Sequence, residues 1–220
     1  MAPMAMLLPE STPSVVVMAR RRRPGFSPMA FVWIVASMVG AVAGSLAAWQ
    51  VRLLIGQGPA ELWKDLGYLA LIANVVILAA AQWLVLRRFR LDAYWWLPAT
   101  VAANLITAII VIPTVLNVFG QAVNPMTAAA AVLSAACALA VAGLVIGTAQ
   151  AFVLRRSIGS LAWAWIPATG LGGALSGALT SALSAQLYGL PPVATLSLVA
   201  ASGALLAAAS QAPVLARIRR

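Results

Sequence analysis

Four long runs of this chain carry no charged side chain, and they leave it few folds to choose from. Residues 24–51, 66–86, 93–154 and 157–216 make uncharged stretches of 28, 21, 62 and 60 residues. A helix crossing hydrocarbon needs about 20 residues. The first two runs therefore hold one crossing each, and the last two are each long enough for two. Both long runs are broken near the middle by turn formers: Gly120, Asn124 and Pro125 in one, Tyr188, Gly189, Pro191 and Pro192 in the other. Only 8% of residues are charged, against about 25% in a soluble domain, too few to cover a water-facing surface. The expectation is an all-α integral membrane protein with six transmembrane helices near 29–51, 66–86, 95–118, 128–154, 162–186 and 194–216. They form one membrane domain, 24–220, behind a disordered, basic-ended tail of residues 1–23.

The basic residues orient this bundle. With the N-terminus in the cytoplasm, the inner side collects Arg20–Arg23, Arg87, Arg88, Arg90, Arg155, Arg156, Arg217, Arg219 and Arg220, and the outer side only Arg52 and Lys64. This is a positive-inside bias, with both termini cytoplasmic. Trp95, Trp96 and Trp165 fall beside these arginines, and Trp63, Tyr68 and Tyr188 near the other boundary, as interfacial aromatics do. Arg87, Arg88, Arg155, Arg156 and Arg217, with Trp95, Trp96 and Trp165, are the expected inner-leaflet lipid contacts. A net charge of +10 could suggest nucleic acid. Twelve of the 14 basic residues sit where topology wants them, however, and no basic helix or zinc-ligand pattern accompanies them. Membrane lipid is the expected partner, and nucleic acid is not.

The chain also repeats itself. Ala81-Gln82-Trp83-Leu84-Val85-Leu86-Arg87-Arg88 and Ala149-Gln150-Ala151-Phe152-Val153-Leu154-Arg155-Arg156 agree at six of eight positions. Ala93-Tyr94-Trp95-Trp96-Leu97-Pro98-Ala99-Thr100 and Ala162-Trp163-Ala164-Trp165-Ile166-Pro167-Ala168-Thr169 agree at five. Fainter echoes stand at the chain ends, in Gln211, Val214, Leu215 and Arg217, and in Trp33, Ala36 and Ser37. These matches predict three parallel αα-hairpin repeats, approximately 29–88, 93–156 and 161–217. Gln82, Gln150 and Gln211 then share one layer, about 7–9 Å deeper than the arginines by helix rise. A carboxamide in hydrocarbon seeks partners across the bundle. Asn74, Asn104 and Thr107 are further candidates for interhelical polar contacts. Gly40 and Gly44, Gly143 and Gly147, and Gly173 and Gly177 stand four apart on their helices, a spacing that favours close helix packing. Pro113, deep in the third span, predicts a kink.

Chemistry is scarce. Histidine is absent, so no histidine ligand for haem or chlorophyll can come from this chain, and the four acids, Glu10, Glu61, Asp65 and Asp92, lie in the tail or loops. Cys137 is alone, and no nucleophile–base pair or phosphate loop is present. No cofactor, metal site or enzyme activity is expected.

The run Gln82-Trp83-Leu84-Val85-Leu86-Arg87-Arg88 with Trp95-Trp96 resembles uncharacterised multi-pass bacterial membrane proteins, of cyanobacterial and Chloroflexi-like kind, with repeated Gln-Trp-x-Val-Leu-Arg-Arg hairpins. The likeness covers the hairpins and not the tail, and the third copy has Ala216 in place of its first arginine. The resemblance implies a bacterial cytoplasmic membrane and no particular activity. The leading expectation is a non-catalytic subunit or assembly scaffold of a larger membrane complex, packed against other integral subunits. An energy-converting or pigment-containing complex is conceivable in such bacteria. The alternatives are a transporter or channel for a small neutral or lipid-like solute, and an anionic-lipid-binding protein.

Overall fold

The computed structural model describes residues 27–55, 60–122, 127–187 and 189–218. The N-terminal tail and the side chains of Trp63, Tyr68 and Tyr188 lie outside them. Seven α-helices follow one another: α1 (Pro28–Ile55), α2 (Ala60–Arg88), α3 (Trp96–Ile106), α4 (Ile112–Ala122), α5 (Ala128–Ile158), α6 (Trp165–Gln186) and α7 (Pro192–Ala216). Their length and apolar composition are those of a multi-pass membrane protein.

Local chemistry marks the helix ends. Pro28 and Pro192 open α1 and α7, where a fixed φ suits the first turn and the missing N–H has no partner to lose. The Thr127 hydroxyl accepts from Ala130 N at 3.2 Å and caps α5. Pro98 and Pro167 fall in the first turns of α3 and α6. Between α3 and α4 the chain widens into a π turn, Thr107–Val111. This turn places Pro113 in the opening turn of α4, so the proline follows a local widening of a third span that stays helical throughout.

The expectation of six separate crossings in three like hairpins is corrected here. Among the described residues there are five apolar helical segments long enough to cross a membrane: Pro28–Leu53, Leu69–Arg88, Trp96–Val118, Ala128–Ser184 and Pro192–Ala216. The fourth, of 57 residues, takes in α5, the turn after Arg155 and Arg156, and α6 as one continuous helical stretch. Helix α5 passes directly into a 3-10 turn, Gly159–Ala164, and that turn directly into α6. Nor does the packing divide into three equal hairpins. Helix α5 lies along α6, and α1 packs against both α2 and α7, with α7 also on α6; the third span packs along α5 through α3, the π turn and α4, and meets α2 through α3 alone.

Glycine placement explains this unequal pairing. A Cβ on Gly143 would strike the carbonyl oxygen of Thr169, one on Gly173 that of Leu139, and one on Gly177 would stand 2.5 Å from Ala135 O. The two glycine pairs of α5 and α6 thus line one shared seam, and their backbones approach as far as missing side chains allow. Gly40 and Gly44 do the same for α1 against Ala81, Leu78 and Asn74 of α2. At the positions matching Gly143, Gly147 and Gly173, the α2–α3 pair carries Val75, Ala79 and Asn104. No glycine seam of that kind is available to α2 and α3, which make little contact with each other.

The large side chains of the core collect at the arginine-bearing end. Trp33, Trp96, Trp165, Leu86, Leu154 and Leu215 are all fully buried there. Toward the other end the buried side chains are small, among them Ala41, Ala70, Ala79, Ala130, Ala138 and Ala142. One end of the bundle is filled by bulk, and the rest is closed by backbone proximity.

Candidate functional site: a tryptophan–glutamine core

Trp33 of α1, Trp96 of α3 and Trp165 of α6 converge on one another. Ring centroids lie 5.7 Å apart for Trp33–Trp96, 5.4 Å for Trp33–Trp165 and 5.9 Å for Trp96–Trp165, with planes at 80–82°. Each pair is edge-to-face, the arrangement that sets the positive rim of one ring against the negative face of another. All three residues are 0% exposed.

A buried indole N–H in hydrocarbon needs an acceptor. Glutamine supplies one and has a donor to spare. Trp33 Nε1 donates to Gln211 Oε1 at 2.9 Å, and Gln211 Nε2 donates on to Thr169 Oγ1 at 3.0 Å. Thr169 Oγ1 in turn donates to the carbonyl of Trp165 at 2.8 Å. Trp165 Nε1 donates to Gln150 Oε1 at 2.8 Å, and Gln150 Nε2 to Thr100 Oγ1 at 3.2 Å. Gln82 Nε2 donates to Ser37 Oγ at 3.2 Å. Each hydroxyl stands one helical turn beyond a tryptophan of the triad, so the same four-residue step recurs in α1, α3 and α6. Helices α1, α3, α5, α6 and α7 are stitched together at one level, and Gln82 ties α2 to α1.

The ring of bonds is open at one place. Trp96 Nε1 is buried and has no hydrogen-bond partner. The two other indoles each bond to a glutamine; this one sits on the side where α2 and α3 stand apart.

Other predicted residues have different surroundings. Trp96 and Trp165 do not face lipid, a correction to their expected role: burial beneath the Val-Leu pairs at the ends of α2, α5 and α7 turns them into core. Trp95 remains 66% exposed and Trp163 42%. Arg87, Arg88, Arg155, Arg156 and Arg217 are all exposed at the same end. The Arg87 guanidinium lies 4.7 Å from the centroid of the Trp83 ring. Asn104 Nδ2 donates to Thr100 O, and Thr107 Oγ1 to Asn104 O, both at 2.8 Å. Both bonds stay within the third span and not between helices, which corrects the expected interhelical role. Asn74 lies where α2 meets Gly44 of α1.

Trp33, Ser37, Thr100 and Thr169 join the site without having been expected there. Their signal is the Trp-x-x-x-Ser/Thr step itself, present three times in the sequence. Among the described residues no three His, Cys, Asp or Glu side chains come together where a metal could bind.

Comparison with protein-family models, curated proteins and solved structures finds no match to this chain.

Proposed function

We propose that this protein is a non-catalytic integral subunit or assembly scaffold of the bacterial cytoplasmic membrane, its arginine-bearing end inside. One observation carries the reading. The bundle interior at that end is occupied by three mutually contacting tryptophans, two of them bonded to buried glutamines. Such a core holds helices in place and offers no path to a solute at its level, which speaks against a central transporter pathway. It also contains no titratable or nucleophilic pair to run a reaction.

The third span provides a face for a partner. Ile106, Ile109, Ile110, Leu116 and Val118 are exposed along it. Its inner side packs along α5 through α3, the π turn and α4, so the exposed outer side is free to take another membrane helix. The test is purification in mild detergent followed by native mass measurement. A second integral membrane protein in fixed stoichiometry is expected, lost when Ile110→Arg places a charge on that face. A single species at the 22.7 kDa monomer mass would overturn the proposal.

A further inference from the structure

The link between α2 and α3 is fastened to the end of α5. Ser157 Oγ donates to the carbonyl of Asp92 at 3.0 Å. This brings Asp92 and Arg156 to the rim of one groove of about 500 Å³ between α3 and α5, with Trp95, Ala99, Ala149 and Phe152 along its walls. Asp92, Trp95, Phe152 and Arg156 are exposed. Asp92 and Arg156 carry opposite charges at the rim of this groove, yet no ion pair joins them. From Arg156 to Ala149 the groove follows α5 for seven residues, about 10 Å into the apolar part of the bundle.

We infer that this groove binds one phospholipid with a zwitterionic aminoethyl headgroup, its phosphate on Arg156, its primary ammonium on Asp92 and its upper acyl chain against Ala99, Ala149 and Phe152. The charges decide the class. A guanidinium matches a phosphate oxygen pair, and a free carboxylate beside it needs a cation bearing N–H donors. A glycerol headgroup has no cation, and a choline headgroup has no N–H. The exposed Trp95 ring sits where an amphipathic aromatic meets headgroups. The inference stands apart from the subunit reading: a lipid here neither requires a partner protein nor excludes one.

The basic end as a whole would attract anionic lipid without any site, and that provides the contrast for a test. The purified, delipidated full chain is titrated in detergent with phosphatidylethanolamine, phosphatidylglycerol or phosphatidylcholine, and bound lipid is counted by native mass spectrometry. One equivalent of phosphatidylethanolamine is expected, about tenfold tighter than either of the others. Arg156→Gln should weaken retention of this lipid about tenfold, while Asp92→Asn should abolish the preference over phosphatidylglycerol. Both side chains are exposed, and tryptophan fluorescence reports directly whether the buried triad survives each change. Equal or tighter binding of phosphatidylglycerol to the unaltered chain would overturn the inference. So would retention unchanged in Arg156→Gln, or no lipid of any class retained.

Discussion

Two turns at the arginine-bearing end, α2 into α3 and α5 into α6, share most of their sequence and differ in what they hold together. Both follow a glutamine, a Val-Leu pair and two arginines, and both lead to a tryptophan, a proline and a threonine. After the second turn the helices run backbone to backbone, and Trp165 bonds to Gln150. After the first they stand apart, and Trp96 finds no partner although Gln82 lies at the matching position. The local motif therefore does not decide the closure. The residues two to three turns deeper do: glycines at 143, 147 and 173 in one pair, Val75, Ala79 and Asn104 in the other. Van der Waals contact is what joins helices in lipid, where apolar burial gives no net drive.

Breaking the tight pair should have the largest effect. Gly173→Leu puts a side chain where the Leu139 carbonyl already stands, so α5 and α6 must separate along their seam. A loss of about 3 kcal/mol or more is expected, at the upper end of overpacking costs. Asn104→Leu, at the matching position of α3, removes a bond within its own helix and should cost under about 1 kcal/mol. Thermal unfolding in detergent, followed by the loss of a monodisperse species, compares the two. Equal losses would mean that the glycine seam is not what distinguishes the pairs.

Much of this contrast is legible in the amino-acid sequence. Uncharged run lengths indicate the membrane class, and the recurrent Gln before Val-Leu picks out side chains that meet partners inside the bundle. The glycine spacings mark faces of close approach. Their pairing is not legible, because a Gly-x-x-x-Gly face does not say which neighbour it meets; an expectation of equal hairpins hides the dominance of α5 on α6. The tryptophans mislead for a physical reason. An indole beside arginines suits the headgroup layer and a buried core equally well, since in both its ring is in an apolar setting and its N–H finds an acceptor. The deciding partner is a glutamine on another helix, more than 170 residues away in the case of Trp33. The count of separate spans fails because the turn after Arg155 and Arg156 is itself helical, so α5, a 3-10 turn and α6 follow without an irregular link.

The next contrast tests the polar bonds at a matched loss of volume. Trp165→Phe removes the donor to Gln150 and leaves a buried carboxamide oxygen unpartnered, while Trp96→Phe removes an N–H that has no partner to lose. Both trim a fully buried ring of the same triad, so the packing losses largely cancel. Trp165→Phe should be the more destabilising by about 1 kcal/mol, within the measured range for hydrogen bonds between membrane helices. That difference corresponds to a midpoint roughly 2–4 °C lower. If Trp96→Phe costs as much, the third indole is bonded in the membrane and the two turns are alike in this respect.

The smallest effect concerns the backbone of the turns themselves. Helix α2 closes with Leu91 N donating to Leu86 O at 3.0 Å and Arg90 N to Arg87 O at 2.9 Å, a pair of bonds that requires the residue between them to be left-handed. That residue is Arg90, at φ 57°, and it is the one described non-glycine residue with positive φ. The other turn places Gly159 at φ 60°. An L-residue there costs about 1–2 kcal/mol, whereas glycine adds conformational entropy to the unfolded chain worth about 0.5–1 kcal/mol. Arg90→Gly should therefore stabilise by about half a kcal/mol, the difference between those two terms. Gly159→Ala should destabilise by about 1 kcal/mol or more, since its ψ of −136° lies where side chains are not tolerated. Opposite signs at matching turns, read as shifts in unfolding midpoint, would show that the two differ in stored backbone strain as well as in packing. A loss of stability in Arg90→Gly would mean instead that the guanidinium at this rim contributes more than the strain it imposes.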